Sequence, residues 1–301
     1  EFLNAVEALP HQFSEPFADP SSIPTMIMCQ RTQHHLKVAL TGDGGDELFM
    51  GYNRHFRGIY LWKRLNELPE PMRLMLLRLL QGPIGHLAQQ SLKTSIKMLP
   101  ESGKQNNISY KIKKAQYMLG AKDTDELFQR LILSGPSRKQ PIKGYAGTGI
   151  VPKKIDGSLD IGQAFALLDQ KNYLPSNVLV KSDRCGMANG LEIRAPLLSS
   201  SVRDFANSLP ISQKVHRGQG KYILKKVLKQ HIPKKLYQFP KSGFDVPIET
   251  WMRHDLHELI NDTLSSTNLD MHGLLEPKIV EDQLIGFNKG KTESVQWIWN
   301  V

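Results

Sequence analysis

The feature that most constrains the fold is an acidic glycine loop, residues 41–47 (Thr-Gly-Asp-Gly-Gly-Asp-Glu), which follows a short apolar run. That run, residues 36–40, has the composition of a strand buried in a parallel sheet. A helix is predicted before it, from an N-cap at Ser21 or Ser22 to about His35. Another is predicted after the loop, because apolar side chains recur at helical spacing. This order predicts one unit of an α/β sheet, with the loop at the carboxyl end of the strand, where such sheets bind ligands.

The remaining sequence is predominantly helical in pattern. Because only one clear strand is evident and an open parallel sheet needs several, the fold class predicted is α/β, a partial parallel sheet with a large helical portion. Part of the sheet is expected to belong to sequence on the N-terminal side. Glycine, lysine and proline between residues 139 and 158 predict an exposed loop. Helical periodicity is found at residues 72–80, 115–134, 161–172 and 221–231.

Composition narrows the classes of function. The chain is 40% hydrophobic and 23% charged, and no stretch reaches the roughly 20 apolar residues of a membrane span, so a soluble protein without a membrane partner is expected. The two cysteines, Cys29 and Cys185, have no metal-ligand spacing, and their small number favours a reducing cytoplasm. The net charge of +10 favours polyanions such as ATP, pyrophosphate or nucleic acid, but no nucleic-acid motif is found.

The three acids of the loop, Asp43, Asp46 and Glu47, indicate a particular chemistry. The glycines let the backbone approach a ligand, and amides at the start of the next helix favour anions. Carboxylates beside an anion repel it unless a divalent cation such as Mg²⁺ bridges the two. A carboxylate left free of the metal can act as a base toward an attacking amine. The alternative, equally weighted for the loop taken alone, is a polar turn in which Asp46 caps the helix.

Two further segments carry charged residues in suggestive positions. Lys221 follows two glycines at the opening of a predicted helix, from where a lysine can reach a phosphate, although an ordinary basic helix face is favoured on spacing alone. Between residues 180 and 198, Asp183 with Arg184, or Glu192 with Arg194, are predicted to form buried or half-buried ion pairs. We favour a structural role for those pairs over a catalytic one.

Several co-linear motifs together resemble the asparagine synthase domain of glutamine-hydrolysing asparagine synthetases, within the PP-loop ATP pyrophosphatase superfamily. The resemblance implies a Rossmann-like sheet of the adenine nucleotide alpha hydrolase type. It spans residues 13–299 and rests on the segments EPFAD (15–19), SIP (22–24), TGDGGDELF (41–49), YLP (173–175), LVKSDR (179–184), GLEIRAPLL (190–198), GKYILKK (220–226) and KSGFDVPI (241–248).

The resemblance implies an ATP-binding ligase of asparagine biosynthesis that requires Mg²⁺. The side-chain carboxylate of aspartate attacks ATP to give β-aspartyl-AMP and pyrophosphate, and ammonia derived from glutamine in a separate glutaminase domain displaces AMP. Carried over by position, Thr41 and Gly42 contact the nucleotide and Asp43 acts in forming and consuming the acyl-adenylate. Asp46 lies near the metal and pyrophosphate, and Lys221 contacts phosphates and assists catalysis.

Two departures from the family pattern matter. The phosphate-binding SGGxDS loop and the N-terminal glutaminase domain are absent from this sequence, so residues 1–301 are expected to be an incomplete C-terminal ammonia-ligase domain, truncated at both ends. The expected partners are aspartate and ammonia, with neither nucleic acid nor a membrane, and a homodimer is compatible with the resemblance. Because no motif marks the acceptor pocket, two alternatives remain: amidation of a sugar uronic acid or lactam closure, and a non-catalytic basic derivative that binds nucleic acid.

Overall fold

The computed structural model describes residues 2–82, 117–132, 141–145, 159–236 and 246–301. The chain divides into two compact units, the first formed by residues 1–59 and 152–257 and the second by residues 60–151 and 258–301. Most of the predicted exposed loop at 139–158 and of the KSGFDVPI segment lies outside the described residues.

The first unit contains both described strands and the acidic glycine loop. Its elements are α1 (Phe2–Gln12), α2 (Ser22–Thr32), β1 (Val38–Leu40), α3 (Gly45–Leu48), the start of α4 (Asn53–Asn66), α7 (Ile161–Leu168), a π-helix (Asp169–Val178), α8 (Leu179–Met187), β2 (Glu192–Arg194), a 3₁₀ turn (Pro196–Leu198), α9 (Ser200–Ser208), α10 (Ile211–Lys214), α11 (Tyr222–His231), a second 3₁₀ turn (Lys234–Leu236) and α12 (Ile248–Arg253).

The second unit is helical in the part that the structure describes. Its core includes Val280 and Phe287 on one of the two C-terminal helices and Val295 and Ile298 on the other, all of them buried. None of the described helices is long and apolar enough to cross a membrane. The elements are α5 (Glu70–Gln81), α6 (Thr124–Ile132), α13 (His257–Thr263), α14 (Ser266–His272), α15 (Pro277–Asn288) and α16 (Thr292–Asn300).

The described sheet consists of two parallel strands, which confirms an α/β fold in outline. Val38 pairs with Glu192 and Leu40 pairs with Arg194. The prediction of a buried strand over residues 36–40 was wrong in two respects: β1 has three residues, and Leu40 is 74% exposed. In a sheet of two described strands few side chains cover the faces of β1, so apolar composition alone did not ensure burial. The second strand, β2, was not predicted.

The chain after the acidic glycine loop forms two helices where the apolar spacing predicted one. The short α3 ends at Leu48, and Met50 adopts a left-handed conformation (φ 57°) before Gly51 and the start of α4. The carbonyl of Phe49 accepts a hydrogen bond from the backbone N–H of Lys221 at 2.9 Å, a partner distant in sequence. This contact takes the place of a helical hydrogen bond at the break.

Two groups of buried side chains hold the loop in place. Ile23 and Cys29 of α2 pack with α8, which contributes the buried Cys185. Leu48 and Phe49, which follow the loop, form a second cluster with Ala206 of α9, and partly buried side chains of α11 pack against it. The helix before β1 and the residues after the loop are therefore both packed into the core of the first unit.

Candidate active site

The acidic glycine loop leaves the carboxyl end of β1 as predicted. The backbone N–H of Thr41 donates to the carbonyl of Arg194 at 2.8 Å, which extends the strand pairing to the first residue of the loop. Gly44 then precedes α3 in a left-handed conformation (φ 84°), and a Cβ atom there would collide with the side chain of Leu198. Both its conformation and its close packing therefore require glycine at position 44.

Asp43 is held by two hydroxyl groups from different parts of the chain. Its Oδ2 atom accepts a hydrogen bond from Thr41 Oγ1 at 3.0 Å and another from Ser182 Oγ at 2.7 Å. Thr41 lies in the same loop, whereas Ser182 lies on α8 and is 9% exposed. The carboxylate therefore has a fixed orientation at the edge of the sheet.

Asp46 forms an ion pair with the predicted phosphate-binding lysine. Lys221 Nζ lies 2.8 Å from Asp46 Oδ2, and the two side chains are 31% and 28% exposed. The expected capping role of Asp46 was wrong, because the N-cap of α3 is Gly44 and no side-chain hydrogen bond caps the helix. The pair is accessible to solvent, so a ligand can approach either partner.

The two chain segments that carry this ion pair pack closely, backbone against backbone. A Cβ atom on Gly51 would overlap the carboxylate of Asp46 and the side chain of Lys221, and one on Gly220 would overlap the carbonyl of Met50. Among the described non-glycine residues, Met50, Arg217 and Lys221 have positive φ. Such conformations are sparsely populated and cluster at functional sites. The crossing of the two segments thus sets the position of Lys221.

A buried cluster centred on Asp169 lies next to the acidic glycine loop. This aspartate opens the π-helix, is 0% exposed, and accepts hydrogen bonds from Arg54 Nε at 2.9 Å and Arg54 Nη2 at 2.8 Å. It also accepts one from His55 Nε2 at 2.5 Å. Burial lowers the pKa of His55, against the opposing effect of the Asp169 carboxylate. The cluster ties the start of α4 to the π-helix.

Two tyrosines complete this cluster and join it to the acidic loop. The guanidinium of Arg54 lies 4.0 Å from the ring centre of Tyr52 and 4.6 Å from that of Tyr173. The hydroxyl of Tyr52 donates to Glu47 Oε1 at 2.6 Å. Burial raises the pKa of Glu47, although the hydrogen bond from Tyr52 works in the opposite direction. Burial, followed by the charge of Asp19, raises the pKa of Tyr173 to about 12.

The helix that carries Ser182 is anchored on the side of α2. Lys181 Nζ lies 3.2 Å from Asp19 Oδ2 and donates to Ser21 Oγ at 2.7 Å. Ser21 in turn donates from its backbone N–H and its hydroxyl to Asp19 Oδ1, at 2.9 and 2.7 Å. The EPFAD segment is therefore a support for α8.

The structure brings together most of the predicted site residues. Thr41 contacts Asp43, and Asp46 contacts Lys221, all of them at one end of the sheet. Gly42 is exposed, and a Cβ atom there would meet nothing within 4 Å, so its backbone is open to a ligand.

Two expectations about ion pairs need revision. The Glu192–Arg194 ion pair forms at 2.5 Å, but its side chains are 50% and 66% exposed, so it is not the buried pair predicted. It lies on the exposed face of β2, where residues two apart project together. Asp183 and Arg184 form no ion pair with each other in the described part of the chain; both are exposed on α8.

The acids present suit a magnesium ion that phosphate oxygens hold in part. Within the described residues, no group of three His, Cys, Asp or Glu side chains could hold a metal ion by itself. Mg²⁺ commonly takes one or two carboxylates and completes its shell with water and substrate phosphates. Asp46, whose side chain is 28% exposed, could supply one such carboxylate, and the ammonium group of Lys221 lies beside it at 2.8 Å.

Fold and site together define an α/β protein with an acidic glycine loop and a paired lysine at the carboxyl end of a parallel strand. Comparison with known proteins identifies the family. The family model described as asparagine synthase matches residues 1–301. The chain belongs to the asparagine synthase family.

Individual relatives agree with this assignment. The chain is 26% identical over 304 residues to the glutamine-hydrolyzing asparagine synthetase 1 of Bacillus subtilis, a match that covers 100% of this chain and 45% of the relative. It is 24% identical over 259 residues to amidase chyE of Penicillium rubens, which covers 80% of this chain and 37% of that protein. The chain thus spans less than half the length of the curated relatives it matches. No solved structure matches it.

Proposed function

We propose that this chain is the ammonia-ligating part of an enzyme that converts aspartate to asparagine with ATP. The aspartate side chain attacks the α-phosphorus of ATP, giving β-aspartyl-AMP and pyrophosphate. Ammonia then displaces AMP. The observation that carries the proposal is that the acidic glycine loop holds Asp43 and the Asp46–Lys221 ion pair at the end of a strand, in a member of the asparagine synthase family.

The Asp46–Lys221 pair suits the departure of pyrophosphate. An ammonium group at a helix N-terminus stabilises the negative charge that develops on phosphate oxygens, and so does a cation held by a carboxylate. In the structure these two groups neutralise each other at 2.8 Å. When bound, Mg²⁺ would supply Lewis-acid stabilisation of the phosphates. Lys221 would then be released from Asp46 to contact the leaving group.

Asp43 suits the second step. Its carboxylate lies next to Gly42, whose open backbone would receive the nucleotide, and it is fixed by hydroxyl groups rather than by a cation. A carboxylate placed in this way can take a proton from the attacking amine as a general base. Thr41 and Gly42 would contact the nucleotide from the same loop.

The proposal assigns residues 1–301 to a C-terminal ammonia-ligase domain of Rossmann-like type. Ammonia would come from glutamine in a glutaminase domain of the full-length protein, as the name of the Bacillus subtilis relative suggests for that enzyme. We place the reaction in the cytoplasm, where ATP and a reducing environment coexist. The proposed chemistry is the same for a monomer and for a homodimer.

An assay of the full-length protein tests this proposal. Purified enzyme is supplied with aspartate, ATP, Mg²⁺ and ammonia, and both AMP and asparagine are measured. We expect both products, and we expect Asp43→Asn to lower asparagine formation at least about 100-fold, as for loss of a general base. Asp204→Asn is the matched control, because the same substitution there changes an exposed pair with Arg203.

The outcomes separate the parts of the proposal. Equal rates for Asp43→Asn and the parent would refute the role of Asp43. Failure of aspartate together with AMP formation from another acid, such as a sugar uronic acid, would refute the asparagine assignment while retaining the ligase chemistry. Absence of ATP cleavage with every acid would refute the function as a whole.

A further inference from the structure

We propose that Ser182 is a positioning residue that decides which oxygen of Asp43 meets the attacking amine. This inference rests on the proposed function and names a residue that the loop sequence itself does not contain. The hydroxyls of Thr41 and Ser182 both donate to the same oxygen, Oδ2, at 3.0 and 2.7 Å. The structure thereby makes the two oxygens of one carboxylate unequal.

The inequality has a chemical consequence. An oxygen that already accepts two hydrogen bonds has its lone pairs engaged and its negative charge stabilised, so it is the weaker proton acceptor. On Asp43 this leaves Oδ1, to which neither hydroxyl donates, as the oxygen that we assign to the proton transfer. In the amide-forming step, the nitrogen lone pair of ammonia attacks the acyl carbon, the bond from that carbon to the AMP oxygen breaks, and AMP leaves with the electron pair. One proton of the attacking nitrogen passes to Oδ1 and from there to solvent.

Ser182 can fix this orientation because its helix is held on several sides. One residue earlier, Lys181 pairs with Asp19 and Ser21, and one turn later Cys185 Sγ contacts the carbonyl of Ser22 at 3.7 Å. Gly186 lies so close to the segment leading into β2 that a Cβ atom would be 2.7 Å from the carbonyl of Leu191. The serine hydroxyl is therefore delivered from a rigid element, the arrangement that keeps a reacting group in its productive geometry.

Both hydrogen bonds to Asp43 have a charged acceptor. A hydrogen bond to a charged acceptor contributes about twice as much as a neutral one, and shorter bonds are typical of that class. Thr41 lies two residues from Asp43 in the same loop and is itself tied to β2 by the hydrogen bond from its backbone N–H to Arg194. Of the two donors, Ser182 lies on a different element, so its hydrogen bond ties Asp43 to α8.

The test uses the full-length protein with Ser182→Ala, Ser182→Thr and the control Ser208→Ala, whose hydroxyl donates to the Phe205 carbonyl at 2.8 Å on an exposed helix end. We expect Ser182→Ala to lower kcat for asparagine formation about 10- to 100-fold, as for one hydrogen bond to a charged acceptor, with KM for aspartate and ATP unchanged. Threonine should recover most of the loss, and Ser208→Ala should match the parent.

A double-mutant cycle with Asp43→Asn decides whether Ser182 acts through Asp43. If it does, adding Ser182→Ala to Asp43→Asn lowers kcat little further, because the group being positioned is already lost. Independent, multiplicative losses would overturn the proposal, as would a folded Ser182→Thr protein that recovers nothing.

The proposed function can fail separately from this inference. A parent protein that forms no AMP with any acid refutes the function, and the positioning role falls with it. An active parent in which Ser182→Ala has the kcat of wild type refutes the positioning role alone. A thermal-unfolding cycle on the same four proteins checks the contact independently: coupled losses of stability for Ser182→Ala and Asp43→Asn support it, and additive losses refute it.

Discussion

Replacing Asp169 by asparagine should destabilise the first unit more than any comparable change at an exposed aspartate. Asp169 is fully buried and accepts three hydrogen bonds, two from Arg54 and one from His55. Asparagine is nearly the same size but has one acceptor oxygen in place of two and carries no charge. Its NH₂ group would face a donor, and the half-buried guanidinium of Arg54 would lose its counter-ion.

The magnitude follows from the burial of the pair. Removing one partner of a buried ion pair costs about 3–5 kcal/mol, because the other charge is left uncompensated. Arg54 keeps its ring contacts with Tyr52 and Tyr173, so part of its environment survives and the lower end of that range is expected. At about 2–4 °C per kcal/mol for a unit of this size, the melting temperature should fall by about 6–12 °C.

Differential scanning calorimetry is the suitable assay, because the chain has two compact units that can unfold separately. Asp204→Asn is again the control: its ion pair with Arg203 is 53% and 70% exposed, and such pairs contribute about 0–1 kcal/mol. If Asp169→Asn melts within about 2 °C of the control, the Asp169 cluster does not hold α4 to the π-helix as the contacts indicate.

Two further changes test the crossing of the loop with the lysine segment and the burial of Glu47. Gly51→Ala should lower the free energy of unfolding by about 1–3 kcal/mol and abolish ATP-dependent activity, because the methyl group would displace the Asp46–Lys221 pair. Gly42→Ala is the control and should leave the melting temperature unchanged, because a Cβ atom there meets nothing within 4 Å. Burial raises the pKa of Glu47, so its folded state binds the extra proton and stability declines as pH rises through that pKa. Glutamine at position 47 cannot ionise, so the melting temperature of Glu47→Gln should rise relative to that of the parent as pH increases. A constant difference in melting temperature across the pH range would contradict the burial argument.

The position of the acidic loop could be predicted because it depends on local rules. A short apolar run, glycines and a following helical pattern place a loop at the end of a strand whatever the rest of the chain does. The break after Leu48 was missed for the opposite reason. It depends on the hydrogen bond from Lys221 to Phe49, a contact across about 170 positions of sequence that apolar periodicity does not reveal.

The residues that support the site could not be predicted from the sequence either, because they also depend on contacts between distant segments. Asp169 lies in a stretch with helical periodicity and Ser182 in the LVKSDR segment, and only the packing of α8 and the π-helix brings them to residues 43–55. For β2 a signal was present: residues 191–194 alternate apolar and charged side chains, as expected for an exposed strand. Glu192 and Arg194 are charged because they lie on the exposed face of this strand, where a buried ion pair was predicted.

Asp43 and Asp46 show what the fold adds to a motif. In the sequence they are equivalent acids in one glycine loop, and either could be assigned as base or as metal ligand. The structure gives them different neighbours: neutral hydroxyls for Asp43 and the ammonium of Lys221 for Asp46. A carboxylate next to a cation is suited to a site that must receive phosphates, while one held by hydroxyls is suited to accept a proton. The different roles that we propose for the two acids therefore depend on α8 and α11, outside the loop.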